Sequence, residues 1–108
     1  GRVSDVVDYA RSQFQSLQSD SSIDASLGRA RVLRILSGAR IEFDDLFRSL
    51  LSQISVKVSI NLGELQAGVS GNVSGGLYVS LFVELKNFKS SCDGQYASLE
   101  QAGNAIQW

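Results

Sequence analysis

Residues 54–85, ISVKVSINLGELQAGVSGNVSGGLYVSLFVEL, restrict the possible folds of this chain more than any other stretch. From 54 to 62, Ile54, Val56, Val58, Ile60 and Leu62 alternate with Ser55, Lys57, Ser59 and Asn61, the period of a half-buried antiparallel strand. Gly63-Glu64 has the Gly-X order of a two-residue hairpin turn, which predicts a second strand over 65–73. Under that turn Leu62 faces Leu65, Ile60 faces Ala67, Val58 faces Val69, Val56 faces Gly71 and Ile54 faces Val73, all on one side of the layer.

A third strand is expected over 77–85, with Leu77, Val79, Leu81, Val83 and Leu85 on one face and Tyr78, Ser80, Phe82 and Glu84 on the other. The preceding loop decides the register. A two-residue Gly75-Gly76 loop sets Ala67 opposite Glu84 and forces an unpaired carboxylate into the apolar layer, at a cost of roughly several kcal/mol. A three-residue loop of Ser74, Gly75 and Gly76 instead pairs Val73 with Leu77, Val69 with Leu81 and Leu65 with Leu85, with Gly76 in a bulge-type turn. The middle strand then carries the small residues Ala67 and Gly71, a trough over which a helix can pack. On the other face Phe82 covers Gly68.

Ahead of the sheet the apolar spacing is helical. Val3, Val7, Ala10, Phe14 and Leu17 recur at four and three residues and predict a helix over 3–18, begun by Ser4 or Asp5. Two heptads fall short of what a coiled coil needs, so the helix is expected to pack on its own sheet. A second helix is expected over 23–37, with Ile23, Leu27, Ala30, Leu33 or Ile35, and Leu36 inward, Ser21 and Asp24 in a capping-box-like arrangement and Gly38 as its stop. Gly28, with Ala25 and Ala30 nearby, points to close approach by another element. A third helix is expected over 42–53, where Glu42, Asp44 and Asp45 suit the positive end of its dipole and Phe43, Leu46, Phe47, Leu50 and Leu51 face inward. In the C-terminal segment 87–108, residues 90–94 read as a turn. Beyond it lies either a helix over 95–106, weakened by Gly103 and Asn104, or a fourth strand.

The expected fold is therefore a single α+β domain over 1–108. It has two layers, three N-terminal helices on one face of an antiparallel three- or four-stranded β-meander, with a possible C-terminal helix. A length of 108 residues, 44% hydrophobic and 19% charged, fits one globular domain. The net charge of −1 disfavours whole-chain attraction to nucleic acid. No apolar run is long enough for a transmembrane helix. The chain does not start with methionine and reads as a processed product or a domain fragment, and its lone Cys92 allows no internal disulfide.

Chemical signatures are sparse. With no histidine in the chain, the commonest acid–base group and metal ligand is missing. Glu42, Asp44 and Asp45 lack the glycine-centred spacing of a calcium loop. Cys92 sits beside Asp93 rather than in an electropositive setting. No catalytic residue, cofactor or metal is assigned, and no enzymatic activity is expected. Arg29, Arg31, Arg34 and Arg40 form a candidate anion-binding group because guanidinium presents a fork to phosphate. Their helical positions diverge, however, and acids follow immediately.

The sequence points to a protein-interaction or assembly module, structural rather than catalytic, that associates with itself or a partner through a sheet edge and the Tyr78/Phe82 face. Lys57 lies on that edge and Trp108 at the terminus. Two alternatives are a carrier of a small apolar ligand or lipid held between helices and sheet, and a membrane-active β-hairpin.

Overall fold

A computed structural model of the chain describes residues 2–55 and 76–108 and shows three helices: α1 (Arg2–Ser19), α2 (Ala25–Ser55) and α3 (Gly76–Asn104). Among the described residues there is no strand, and the fold is all-α. The α+β assignment and its β-meander are thereby overturned. Most of the first expected strand, all of the second and the turn before the third lie outside the described residues.

α1 forms where its spacing predicts it. Ala10, Phe14 and Leu17 are buried, Val3, Val6 and Val7 pack against them, and Asp5 lies in the first turn. The polar run after it closes through local bonds. Asp20 N–H donates to the Leu17 carbonyl at 3.2 Å, and the Asp20 carboxylate accepts from the Ser22 amide at 3.0 Å. Asp24 is the cap of α2, its Oδ1 accepting from the Leu27 amide at 2.8 Å, where an N-cap carboxylate satisfies an otherwise orphaned donor. The expected start at residue 23 thus moves to Ala25.

The two helices expected over 23–37 and 42–53 are one helix of 31 residues. Gly38 does not stop it, because the apolar stripe crosses Gly38 without a phase break. Val32, Leu36, Ala39, Phe43, Leu46 and Leu50 follow at spacings of four, three, four, three and four, and Ile54 completes the stripe. Tertiary burial of such a stripe outweighs the ~1 kcal/mol that a helix-interior glycine costs. Glu42, Asp44 and Asp45 consequently sit in mid-helix, all exposed, rather than at a positive helix end.

The third expected strand is the first part of α3. Residues 77–85 are helical, Phe82 and Leu85 are buried, Leu81 is half-buried, and Val83 and Glu84 are exposed. Alternation misleads here because it contains i, i+4 pairs: Leu81 and Leu85 satisfy a strand face and a helix face equally well. Leu85, Cys92, Leu99 and Ile106, one every seven residues and all buried, carry the helical period forward. The expected turn at 90–94 and the fourth-strand alternative both disappear into this helix.

The helices pack around two apolar clusters. In the three-helix part, Phe14 and Leu17 of α1 meet Val32, Leu36 and Phe43 of α2 and Cys92 and Leu99 of α3, with Ile106 beyond its end. Farther along, Phe47 and Ile54 of α2 meet Phe82 and Leu85 of α3, and Phe88 touches both clusters. Gly103 makes the first cluster possible, since a Cβ there would come within 2.8 Å of Val32 Cγ1 and 3.0 Å of Phe14 Cζ. The shape is elongated, 58 × 23 × 15 Å with a radius of gyration of 17.5 Å, against about 13 Å for a compact domain of about 100 residues.

Helix and strand readings of 77–85 make opposite demands on Val83 and Leu85, which a strand puts on one face. Leu85 is 0% exposed and Val83 46%. Truncating Leu85 to Ala is expected to cost about 2–5 kcal/mol and Val83→Ser to fall within about 0.5 kcal/mol of neutral. Urea titrations of the two variants check this, and equal losses would contradict the helix.

Candidate functional site

The residues read as functional are dispersed by the helical fold. Phe82 is buried between α2 and α3, with the Lys86 ammonium 5.9 Å from its ring centre, so it presents no aromatic surface to a partner. Tyr78 lies within α3, and its side chain is outside the described part; Lys57 lies outside the described residues altogether. The Tyr78/Phe82 sheet face is thereby removed as a contact surface, and the edge expected at Lys57 lies outside the described residues.

Trp108 folds back onto α2. A Cβ on Gly28 would run into the indole ring, so the ring lies flush against bare backbone, and the close approach anticipated at Gly28 is made by the C-terminal residue. Trp108 remains partly exposed, and Ile106 anchors the segment in the core, its amide donating to the Gly103 carbonyl at 3.4 Å.

The four arginines have separate surroundings. Arg40 crosses to α3: its Nη1 donates to Asp93 Oδ1 at 3.1 Å and its guanidinium lies 4.2 Å from the centre of the Tyr96 ring. Lys89, one turn before Asp93, donates to the other carboxylate oxygen at 3.0 Å. Burial by itself would raise the Asp93 carboxyl, but the hydrogen bonds from Lys89 and Arg40 outweigh it and hold the group below the usual aspartate range. Arg29 is exposed near the start of α2, while Arg31 and Arg34 line the groove between α1 and α2. They do not converge on one anion.

That groove has a volume of about 740 Å³. Val6, Ala10 and Leu17 of α1 and Ile35 and Ala39 of α2 make its apolar floor, Arg31, Arg34 and Glu42 stand on one rim, and Asp5 and Tyr9 on the other. A second hollow of about 580 Å³ opens where α1 begins, against Leu46, Leu50 and Phe88. Around them, Tyr9 on α1 is 63% exposed, and Leu33 and Ile41 on α2 are 65% and 62% exposed, with Leu27 also at the surface. From the sequence, Leu27, Ala30 and Leu33 or Ile35 are expected inward; the structure exposes Leu27, Ala30 and Leu33, because the helix is phased by the seam through Val32, Leu36, Ala39 and Phe43.

Cys92 is buried, and burial, reinforced by the Asp93 carboxylate, pushes its thiol up, which keeps it a packing residue rather than a nucleophile. Among the described residues no three metal-ligating side chains gather, and no helix is long and apolar enough to cross a membrane.

Two measurements test this geometry. Replacing Gly28 with Ala drives the indole off α2, so the emission of the sole tryptophan should shift to the red; unchanged emission would place the ring elsewhere. For Asp93, a depressed folded-state pKa means that its contribution is present above the unfolded pKa, near 3.9, and is lost as pH falls through the lower folded value. The partners are partly solvent-exposed, so Asp93→Asn should cost less than about 1 kcal/mol at neutral pH. The same substitution should flatten the acid limb of a stability–pH curve below about pH 4.

Comparison with known protein families, with curated proteins and with solved structures finds no match to this chain.

Proposed function

We propose that the chain is a non-enzymatic assembly module that associates with its own kind through the outward surface of α1 and α2. The observation that carries this reading is the placement of Leu27, Leu33 and Ile41 along the side of α2 away from the core, with Tyr9 on the neighbouring helix. Burying a large aliphatic side chain is worth about 1.5–3 kcal/mol. Single exposed hydrophobics need no explanation, but several spread over the outward half of one helix form a surface that gains by being covered. The sheet-edge mode of association is replaced by packing of helix faces.

A second reading is favoured by the α1–α2 groove, whose volume of about 740 Å³ lies in the usual range of small-ligand sites. In that case the chain carries an apolar small molecule above Val6, Ala10 and Ile35. Native mass spectrometry of the purified chain distinguishes the two: assembly gives a dimer or higher species, carriage a monomer with a retained small molecule.

For the leading reading, light scattering across a dilution series should give an apparent mass that rises with concentration. The Leu33→Ser/Ile41→Ser double variant should remain monomeric with an unchanged thermal melt. A wild-type chain that stays monomeric throughout would overturn self-assembly.

A further inference from the structure

We infer that α2 pairs antiparallel with α2 of a second copy about a two-fold axis at Gly38; this rests on the assembly reading and specifies its geometry. Two observations, the order of charge and Gly38 itself, meet on that axis, and an apolar line runs beside it, about 60° around the helix.

The apolar line is centred on Ile41. At about 100° per residue, Leu27, Ala30 and Ser37 all lie within about 40° of Ile41 around α2, and Arg34 within about 20°. All five are exposed, on the side of the helix opposite the buried Val32, Leu36 and Phe43. Tyr9 of α1 and Leu33 stand at its two margins.

The first observation on the axis is the order of charge. Beside the apolar line, on its groove side and spread evenly about Gly38, Arg31 and Arg34 precede the glycine and Glu42 and Asp45 follow it. The ion pairs of the described residues gather on Asp93; these four side chains make no hydrogen bond or close ion pair with another described residue, although Arg31 lies near enough to Asp20 to help lower its carboxyl. A two-fold axis at Gly38 sets residue 31 opposite 45 and residue 34 opposite 42. Each copy thus offers its basic half to the other's acidic half, giving four complementary pairs from one self-complementary patch. A parallel arrangement sets base on base and acid on acid. Arg48 falls beyond these pairs, at the end of the contact.

The second is Gly38 itself. Nothing lies within 4 Å of where its Cβ would be, and its backbone lies outside the left-handed region that favours glycine. Within one chain, therefore, no contact requires a glycine there, although glycine disfavours a helix interior. On the axis, each Gly38 meets its own copy, and the missing side chain lets two backbones approach closely.

Reversal of charge tests the pairing. The variant R31E/R34E has acids at all four paired positions, and E42R/D45R bases at all four. Each alone should dimerise at least roughly tenfold more weakly than wild type, by sedimentation equilibrium, with wild-type circular dichroism. Mixed in equal amounts they should form a heterodimer, since every one of the four pairs is again complementary. Raised salt should weaken both the wild-type dimer and the mixed one. Gly38→Leu should weaken the wild-type dimer while leaving the monomer folded.

If wild type self-associates but the reversed variants do so equally, the α2 pairing is overturned and the assembly reading stands. If the mixture fails to associate although each variant alone has lost dimerisation, the antiparallel register is overturned. If wild type stays monomeric in sedimentation up to about 1 mM, where an interaction of only about −4 kcal/mol would be visible, both are overturned.

Discussion

The structure depends on the uninterrupted apolar seam of α2. From Val32 to Ile54 it offers one buried face over about six turns, and the other two helices pack against it. α1 covers the part up to Phe43, and α3 runs along the whole. Because helix formation is marginal for an isolated segment in water, the continuity of this seam decides that α2 is one element. It also decides that Phe47 and Ile54 remain within reach of Phe82 and Leu85 beyond the end of α1.

How far the sequence discloses this fold depends on which competing period each segment carries. Between Val3 and Leu17 only the helical period is present, and α1 is read correctly. Around Gly38 the apolar spacing and the local breaker disagree; the spacing prevails because Leu36, Ala39 and Phe43 are buried together, whereas a glycine's cost is paid once. Across 77–85 the periods of two and of three to four coincide at Leu81 and Leu85. Only the residues beyond, Cys92, Leu99 and Ile106, resolve the ambiguity; a helix over 95–106 is legible, but the turn-like composition of Ser90, Ser91, Asp93 and Gly94 hides its continuity with 77–85.

The candidate surfaces were less legible than the helices. An aromatic pair two residues apart is a shared face only in a strand; in a helix, about 100° of turn per residue separates such positions widely and sends Phe82 to the core. Arg40 could not be told from its neighbours by spacing, since its partners Asp93 and Tyr96 are supplied by a helix distant in sequence. Trp108 was legible in part: a large indole next to the chain end and a glycine with small neighbours were both visible, and the fold brings them together.

The glycines show how one residue type takes opposite meanings in a helical bundle. Gly28 and Gly103 face inward and are filled by other residues' rings and methyls, with Trp108 over one and Phe14 and Val32 over the other. Gly38 and Gly94 face outward, and nothing within the chain occupies the space beside them. On α3 the outward glycine has Gln95 and Ala97 as exposed neighbours, a surface water can cover at little cost. On α2 it lies on the groove side of a line of exposed aliphatics, with Arg31 and Arg34 before it and Glu42 and Asp45 after it. The same absence of a side chain is inert in the first setting and gives access to the backbone in the second, so the asymmetry between these two positions separates the surface of α2 from that of α3.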